Sequence, residues 1–326
     1  MEKELKWAVL GTGVIANEMA QALQKMGKKL YAVANRTYDK AVEFAEKYDA
    51  EKVYEKIDDM FADKESDIIY ITTPHNTHIK FMLEALKNGK HVLCEKSITL
   101  NSEELEEAVK IAKEKNLILG EAMTIFNMPL YTKLSDIVNS GKLGDVKMIQ
   151  VNFGSYKEYD MNNRFFNRNL AGGALLDIGV YAISITRLFM TSKPDNVLSQ
   201  VKYAPTGVDE QVGIIMMNKE QQMSTIALTL HSKQPKRVVI ACEKAYIEVL
   251  EYPRADKAKI VYTETGEIEE IEEGITANAL QYEMQNMEKS VKSGINQMKL
   301  EYTRDVMDIM TNLRKEWGMT YPEEEK

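Results

Sequence analysis

The sequence predicts an α/β protein of two domains: an N-terminal doubly wound parallel sheet, then a C-terminal α/β domain on a large, mostly antiparallel sheet. Three observations carry that expectation. Short apolar runs alternate with amphipathic helices over the first 122 residues, the rhythm of a parallel sheet covered on both faces. A glycine-rich turn, GTGVIA, follows the first of those runs. Past residue 122, apolar runs follow one another with few helices between them, which favours antiparallel pairing. The 326 residues suit two domains at roughly 150 residues each. The boundary falls between 122 and 123, giving domains 1–122 and 123–326.

In the first domain, strands are expected at Trp7–Leu10, Leu30–Ala34, Ile68–Thr72, His91–Cys94 and Leu117–Gly120, with a weaker one near Val53. Helices are expected at Val14–Met26, Asp39–Lys47, Thr77–Lys87 and Ser102–Lys115, the last capped by Ser102. The second domain opens with a helix around Tyr131–Ser140 and a half-buried strand at Val146–Ser155. A helix over Leu175–Met190 leads to strands at Val197–Tyr203, Gln211–Met217, Met223–Leu230, Arg237–Cys242 and Ala245–Leu250. The acidic, alternating stretch at 263–274 reads as a solvated edge hairpin. Helices at Ala279–Ser293 and Thr303–Trp317 close the chain and are candidates to pack back on the first domain.

Composition narrows the function classes. Asp and Glu number 50 against 42 Lys and Arg, a net charge of −8, and no basic run offsets it. That sign disfavours nucleic acid and acidic membranes, and points to a small-molecule substrate. Cys94 and Cys242 lie far apart and form no disulfide framework, which suits a reducing, cytoplasmic setting. No stretch is read as the ~18 apolar residues of a membrane span, and no signal region opens the chain.

GTGVIA sits between a strand and a helix, the context in which G-x-G-x-x-G/A marks a dinucleotide site of the Rossmann type. Gly11 permits the tight turn, and Gly13 lets the backbone approach a pyrophosphate at the helix N-terminus. Ala16 keeps helix and strand close. Thr12, Val14 and Ile15 complete the turn. The second strand ends in Asn35 and Arg36, where an NAD site usually places Asp or Glu on the ribose. A neutral side chain followed by a guanidinium suits a 2′-phosphate, so NADP is favoured and NAD stays open.

KHVLCEKS puts Glu95 and Lys96 just beyond a buried parallel strand, at the edge where open α/β sheets bind ligands. A lysine there can polarise a carbonyl or favour loss of a hydroxyl proton. GGALLDIGVYAI places Asp177 and Tyr181 four apart, on one face of a helix. An ammonium stabilises a phenolate, so Lys96, Tyr181 and Asp177 would form a proton relay. The plainer alternative is that Asp177 caps the helix and Tyr181 packs.

GTGVIA, ITTPHNTH at 71–78, CEK at 94–96, GEA at 120–122 and GGALLDIGVY at 172–181 together resemble the glucose–fructose oxidoreductase and inositol dehydrogenase (Gfo/Idh/MocA) family. VLCEK, AGGALLDIG and the turn Gly207–Asp209 are similar to its dihydrodiol dehydrogenase branch. The resemblance implies the two-domain architecture, with the second sheet often used for dimerisation. It implies a catalytic pair, Lys96 and Tyr181, supported by Asp177. It also implies that Thr72, Thr73, Asn76 and Glu95 line the nicotinamide site, with His78 nearby.

Two departures from the pattern stand out. Ser97 replaces the proline of the usual Glu–Lys–Pro, where a cis bond costs about 2.5–4 kcal/mol rather than 0.5–1. Thr124 and Phe126 stand where the dihydrodiol branch carries Trp and Arg, so its aromatic-diol substrate is not carried over. His75 and His78 have metal-like spacing without a third ligand, so no metal is expected. Cys94 reads as a buried strand cysteine.

The expected function is NADP-dependent hydride transfer on a secondary alcohol or carbonyl of a sugar, polyol or related small molecule, by a homodimer or higher homo-oligomer. The competing readings are an epimerase, transferase or lyase with no net redox change, and a non-catalytic NAD(P)-sensing regulator. Retention of Lys96, Asp177 and Tyr181 counts against the regulator.

Overall fold

A computed structural model describes residues 4–325. The chain divides into two units, one running to Met123 and including Leu280–Leu300, the other comprising Thr124–Ala279 and the chain from Glu301 onward.

The first unit alternates β1 (Trp7–Leu10), α1 (Val14–Lys25), β2 (Ala32–Ala34), α2 (Tyr38–Tyr48), β3 (Lys52–Tyr54), α3 (Ile57–Ala62), β4 (Ile68–Ile71), α4 (His78–Lys87), β5 (His91–Glu95), α5 (Ser102–Glu114) and β6 (Leu119–Ala122). Its strands form one parallel sheet in the order β3-β2-β1-β4-β5-β6. The order reverses beside β1, which makes the carboxyl ends of β1 and β4 the topological switch point. Every residue of β1 and β4 is buried, as two-sided coverage demands. Sequence periodicity does not reveal α3, whose six residues are too few to show it. The N-cap of α5 is Asn101 rather than Ser102: its side chain accepts from the Glu104 N–H at 2.9 Å.

The second unit begins with α6 (Thr124–Asn127), α7 (Pro129–Asn139) and β7 (Val146–Gly154). A π-helical turn at Leu175–Gly179 runs directly into α8 (Val180–Phe189). Then come β8 (Asn196–Tyr203), β9 (Asp209–Met217), β10 (Met223–Thr229), β11 (Gln234–Cys242), β12 (Ala245–Leu250), β13 (Lys257–Tyr262) and β14 (Ile268–Glu272). The eight strands pair in the order β14-β13-β12-β11-β7-β10-β9-β8, antiparallel throughout except for β7 with β10. Alternation decides its faces. Ile149, Val151, Ile214, Ile226, Val238, Ile240 and Ile247 are buried on one side, whereas Leu198, Ile215 and Leu250 are exposed. The acidic stretch at 263–274 supplies the turn and the edge strand β14, while its partner β13 comes from the preceding residues.

The expectation that nothing is long enough to span a membrane needs correcting: Arg168–Phe189 meets that test by length and composition. Yet 83% of its apolar window is buried inside the protein, the environment of a core helix.

Two helices finish the chain. Of these, α9 (Ala279–Ser293) joins the first unit, where Leu280, Met284, Met287 and Met298 enter the same core as Trp7, Leu23 and Tyr70. Trp7 Nε1 donates to Glu288 at 3.0 Å, and Asn296 Nδ2 donates to the Leu119 carbonyl at 2.8 Å. The last helix, α10 (Leu300–Glu316), lies almost wholly in the second unit, held there by Arg187–Asp305 at 2.7 Å.

Candidate active site

Each unit carries part of the residue set named from the sequence. In the first, the parallel register brings Gly11, Thr72, Glu95 and Lys96 to one edge of the sheet. Gly11 has φ +107°, and a Cβ there would lie 2.5 Å from Thr72 Oγ1, so the turn excludes any side chain. Thr72 reinforces it by giving both its N–H and its hydroxyl to the Leu10 carbonyl at 2.9 Å. Gly13 is the N-cap of α1; a Cβ there would meet nothing within 4 Å, and no side chain caps the helix. Gly13 and Val14 are exposed, with Thr12 and Ile15 half-buried. An uncapped helix N-terminus behind an open glycine suits the pyrophosphate of a dinucleotide.

Asn35 and Arg36 follow β2. Asn35 Nδ2 donates to the Thr37 carbonyl at 3.2 Å, which folds the amide onto its own loop, whereas Arg36 is exposed in the loop between β2 and α2. Thr73, Asn76 and Glu95 are half-buried at the switch-point edge, and Thr77 donates its hydroxyl to Thr73 Oγ1 at 2.8 Å. Tyr70, buried in β4, donates its phenol to Glu95, a positioning contact that the sequence pattern does not signal.

Lys96 follows β5 and is half-buried. The peptide between Lys96 and Ser97 is cis. The backbone here is held on several sides. Nε2 of His75 lies 3.0 Å from the Lys96 carbonyl oxygen, Nδ1 of His78 lies 3.0 Å from that of Ser97, and the Ile98 N–H donates to Glu121 at 3.1 Å. The two histidines thus meet main-chain carbonyls, and His78 is completely buried. Cys94 is buried too; burial pushes its thiol well above the usual range, which makes it inert packing.

In the second unit, the expected helix containing Asp177 and Tyr181 proves composite. Asp177 lies in the π turn and Tyr181 in the first turn of α8. Such turns widen a helix locally and recur at functional sites. Asp177 is largely buried, with Arg164 Nη2 at 3.6 Å from Oδ1. Arg164 arrives from the loop after β7, and no local spacing marks it in the sequence. Tyr181 is half-buried, its ring centroid 6.1 Å from that of Phe153 on β7.

The segment is built on glycines and one buried acid. Gly173 has φ +128°, and a Cβ there would collide with Asp209 Oδ1. Asp209 Oδ2 accepts from the Leu175 N–H at 2.6 Å, and Tyr321 donates to the Gly172 carbonyl at 2.7 Å. Burial pushes the Asp209 carboxyl up to about 7, against the lowering effect of the Leu175 N–H. Thr124 and Phe126 both turn inward: Thr124 donates to the Pro253 carbonyl at 2.5 Å, and Phe126 packs 5.9 Å from Tyr302.

Comparison with known proteins agrees with this construction. Residues 5–123 match the oxidoreductase family model with an NAD-binding Rossmann fold, and residues 131–248 match the GFO/IDH/MocA C-terminal domain. The chain belongs to the GFO/IDH/MocA family. It is an NAD(P)-dependent oxidoreductase. Similar proteins include trans-1,2-dihydrobenzene-1,2-diol dehydrogenase of Xenopus laevis, 28% identical over 97% of this chain and 99% of that one. The Homo sapiens protein of the same name is 26% identical over 99% of each chain. These relatives accord with the dihydrodiol dehydrogenase-like branch. The fold is shared with the 3-ketoreductase KijD10 of Actinomadura kijaniata, solved with NADP and TDP-benzene, at TM-score 0.86, 19% identity and coverage of 96% and 98%. It is also shared with levoglucosan dehydrogenase, solved with NADH and levoglucosan, at TM-score 0.83, 16% identity and coverage of 95% and 98%.

Proposed function

We propose that this member of the family catalyses reversible, NADP-dependent hydride transfer on a secondary alcohol or carbonyl of a sugar, polyol or related small molecule. The observation that carries the reading is Lys96, tied at the carboxyl edge of the parallel sheet beside the turn suited to a dinucleotide. Gly11, Thr12, Gly13, Val14 and Ile15 hold the pyrophosphate, Arg36 and Asn35 the 2′-phosphate end, and Thr72, Thr73, Asn76 and Glu95 the nicotinamide end. When bound, the cofactor supplies or accepts the hydride.

The protein's own part is the proton. In reduction Tyr181 gives its phenolic proton to the oxygen as the carbonyl carbon gains hydride, and in oxidation it takes that proton back. Lys96 stabilises the oxygen's developing charge, and Asp177 orients the tyrosine. The relatives support the reaction class, since their names describe dehydrogenation or ketone reduction. The inward packing of Thr124 and Phe126 supports a substrate other than an aromatic diol. The open face of the second sheet, with Leu198 paired to Ile215, supports a homodimer or higher homo-oligomer, and the two cysteines, with no disulfide framework, support a cytoplasmic setting.

NADPH oxidation should be seen with a panel of sugars, inososes and diketones. Lys96→Ala and Tyr181→Phe should each lower kcat by roughly 10²–10⁴-fold while NADPH binding, followed by fluorescence titration, persists. Unaltered turnover in either variant would sink its assigned role.

A further inference from the structure

The imidazole of His78 is completely buried at the start of α4, and both of its nitrogens meet oxygens that can only accept. Nε2 lies 2.7 Å from the carbonyl oxygen of Thr73, and Nδ1 lies 3.0 Å from that of Ser97. A neutral ring carries one N–H and satisfies one of them, whereas the imidazolium satisfies both. Those carbonyls belong to the loops after β4 and β5. Thr73 is on the loop assigned to the nicotinamide end, and Ser97 is the residue after Lys96.

We propose that His78 is a positioning residue for Lys96, a buried clamp that ties the lysine-bearing loop to the loop after β4. The proposal rests on the reading of Lys96 as the group that acts on the substrate oxygen. The physical need is plain. Lysine's four-carbon stem is flexible, so its ammonium is aimed only as well as its main chain is fixed. Misplacement by about 1 Å can cost roughly 100-fold in rate. His75 adds a second tie, at the Lys96 carbonyl, and its ring stands edge-on to His78 at 5.7 Å.

The clamp is electrostatically coupled to what it holds. Burial lowers the pKa of His78, the carbonyls of Thr73 and Ser97 raise it, and the charge of Lys96 lowers it further. Among the described residues, the titratable groups facing the ring are Lys96 and His75.

The test needs no substrate. Full-length protein, with and without NADP, is labelled with trinitrobenzenesulfonate as a function of pH, and modification of Lys96 is followed by peptide mass spectrometry. Exposed Lys87 serves as the internal reference. His78→Phe fills the ring's space without an N–H, and by loosening the lysine's main chain it should change the rate at which Lys96 is labelled by roughly threefold or more relative to Lys87. A folded His78→Phe protein with a wild-type Lys96 profile would overturn the proposal. Should that variant lose its cooperative melt, NMR of the histidine rings in Lys96→Met decides instead. The His78 signals should shift with the lysine's charge removed, and unchanged signals would overturn the clamp. Neither readout involves turnover. Retained activity in Lys96→Ala would thus defeat the reaction roles alone, and an invariant Lys96 profile the clamp alone.

Discussion

At the scale of single residues, the proposed preference for NADP rests on Arg36. It is exposed just past β2, where a ribose-binding acid is missing. Charge-assisted hydrogen bonds are worth about 1.5–3 kcal/mol, so Arg36→Ala should raise the NADPH dissociation constant by roughly 10- to 100-fold. NADH should bind as before, and calorimetric titration of both cofactors checks it. Equal weakening of the two would mean that Arg36 does not meet the phosphate. Other single residues were not legible in advance. Asn101, Tyr70 and Arg164 act across turns or between strands, where a residue's partner is set by the fold and not by its spacing. Asp209 was visible only as part of a turn resembling one in relatives, and its burial could not be read from the residue type.

At the scale of elements, the segment Gly172–Gly179 shows how a local rule can hold in outline and change in detail. Asp177 and Tyr181 do fall on one continuous helical run, but a π turn precedes α8. Asp209 occupies the space beside Gly173 and pulls the Leu175 N–H toward itself. Gly173→Ala places a methyl against that carboxyl at a positive φ, and should cost at least about 2 kcal/mol, seen as a lower denaturation midpoint. Asp209 also gives a pH dependence whose sign is fixed. Its folded pKa of about 7 lies above the ordinary carboxylate value, so its contribution to stability is full below that value and is lost as pH rises through about 7. The stability of the wild type relative to Asp209→Asn should therefore fall between about pH 4 and pH 7 and level off above. A difference flat with pH would show that the carboxyl does not titrate there. Strands and helices with strong periodicity were legible from sequence to within a residue or two, as Trp7–Leu10, Ala245–Leu250 and Ala279–Ser293 illustrate. Short pieces such as α3 were not, because six residues give little more than one turn of pattern.

At the scale of the whole molecule, the open face of the eight-stranded sheet matters most. Leu198, Ile215 and Leu250 lie exposed on it among charged pairs such as Arg237–Glu248. An apolar patch with a polar rim is what an interface between copies would use. The double variant Leu198→Lys, Ile215→Lys should halve the mass seen by sedimentation equilibrium if this face joins two copies. An unchanged oligomer would place the interface elsewhere. The fold class and the two-sheet plan were readable because sheet type follows from the connections between strands. What could not be read was which closing helix belongs to which unit, since both have the same amphipathic pattern.

That last assignment bears on how the protein comes into being. The core of the first unit needs Leu280, Met284, Met287 and Met298, and Gly120 in β6 lies so close to Met298 that a Cβ would sit 2.8 Å from its side chain. During synthesis, the nucleotide-binding unit therefore emerges more than 150 residues ahead of the helix that completes it. It waits, with the flank of β6 uncovered, until Thr124–Ala279 of the second unit and the helix itself have left the ribosome. Neither unit is a sequential half, and no single cut of the chain yields both whole.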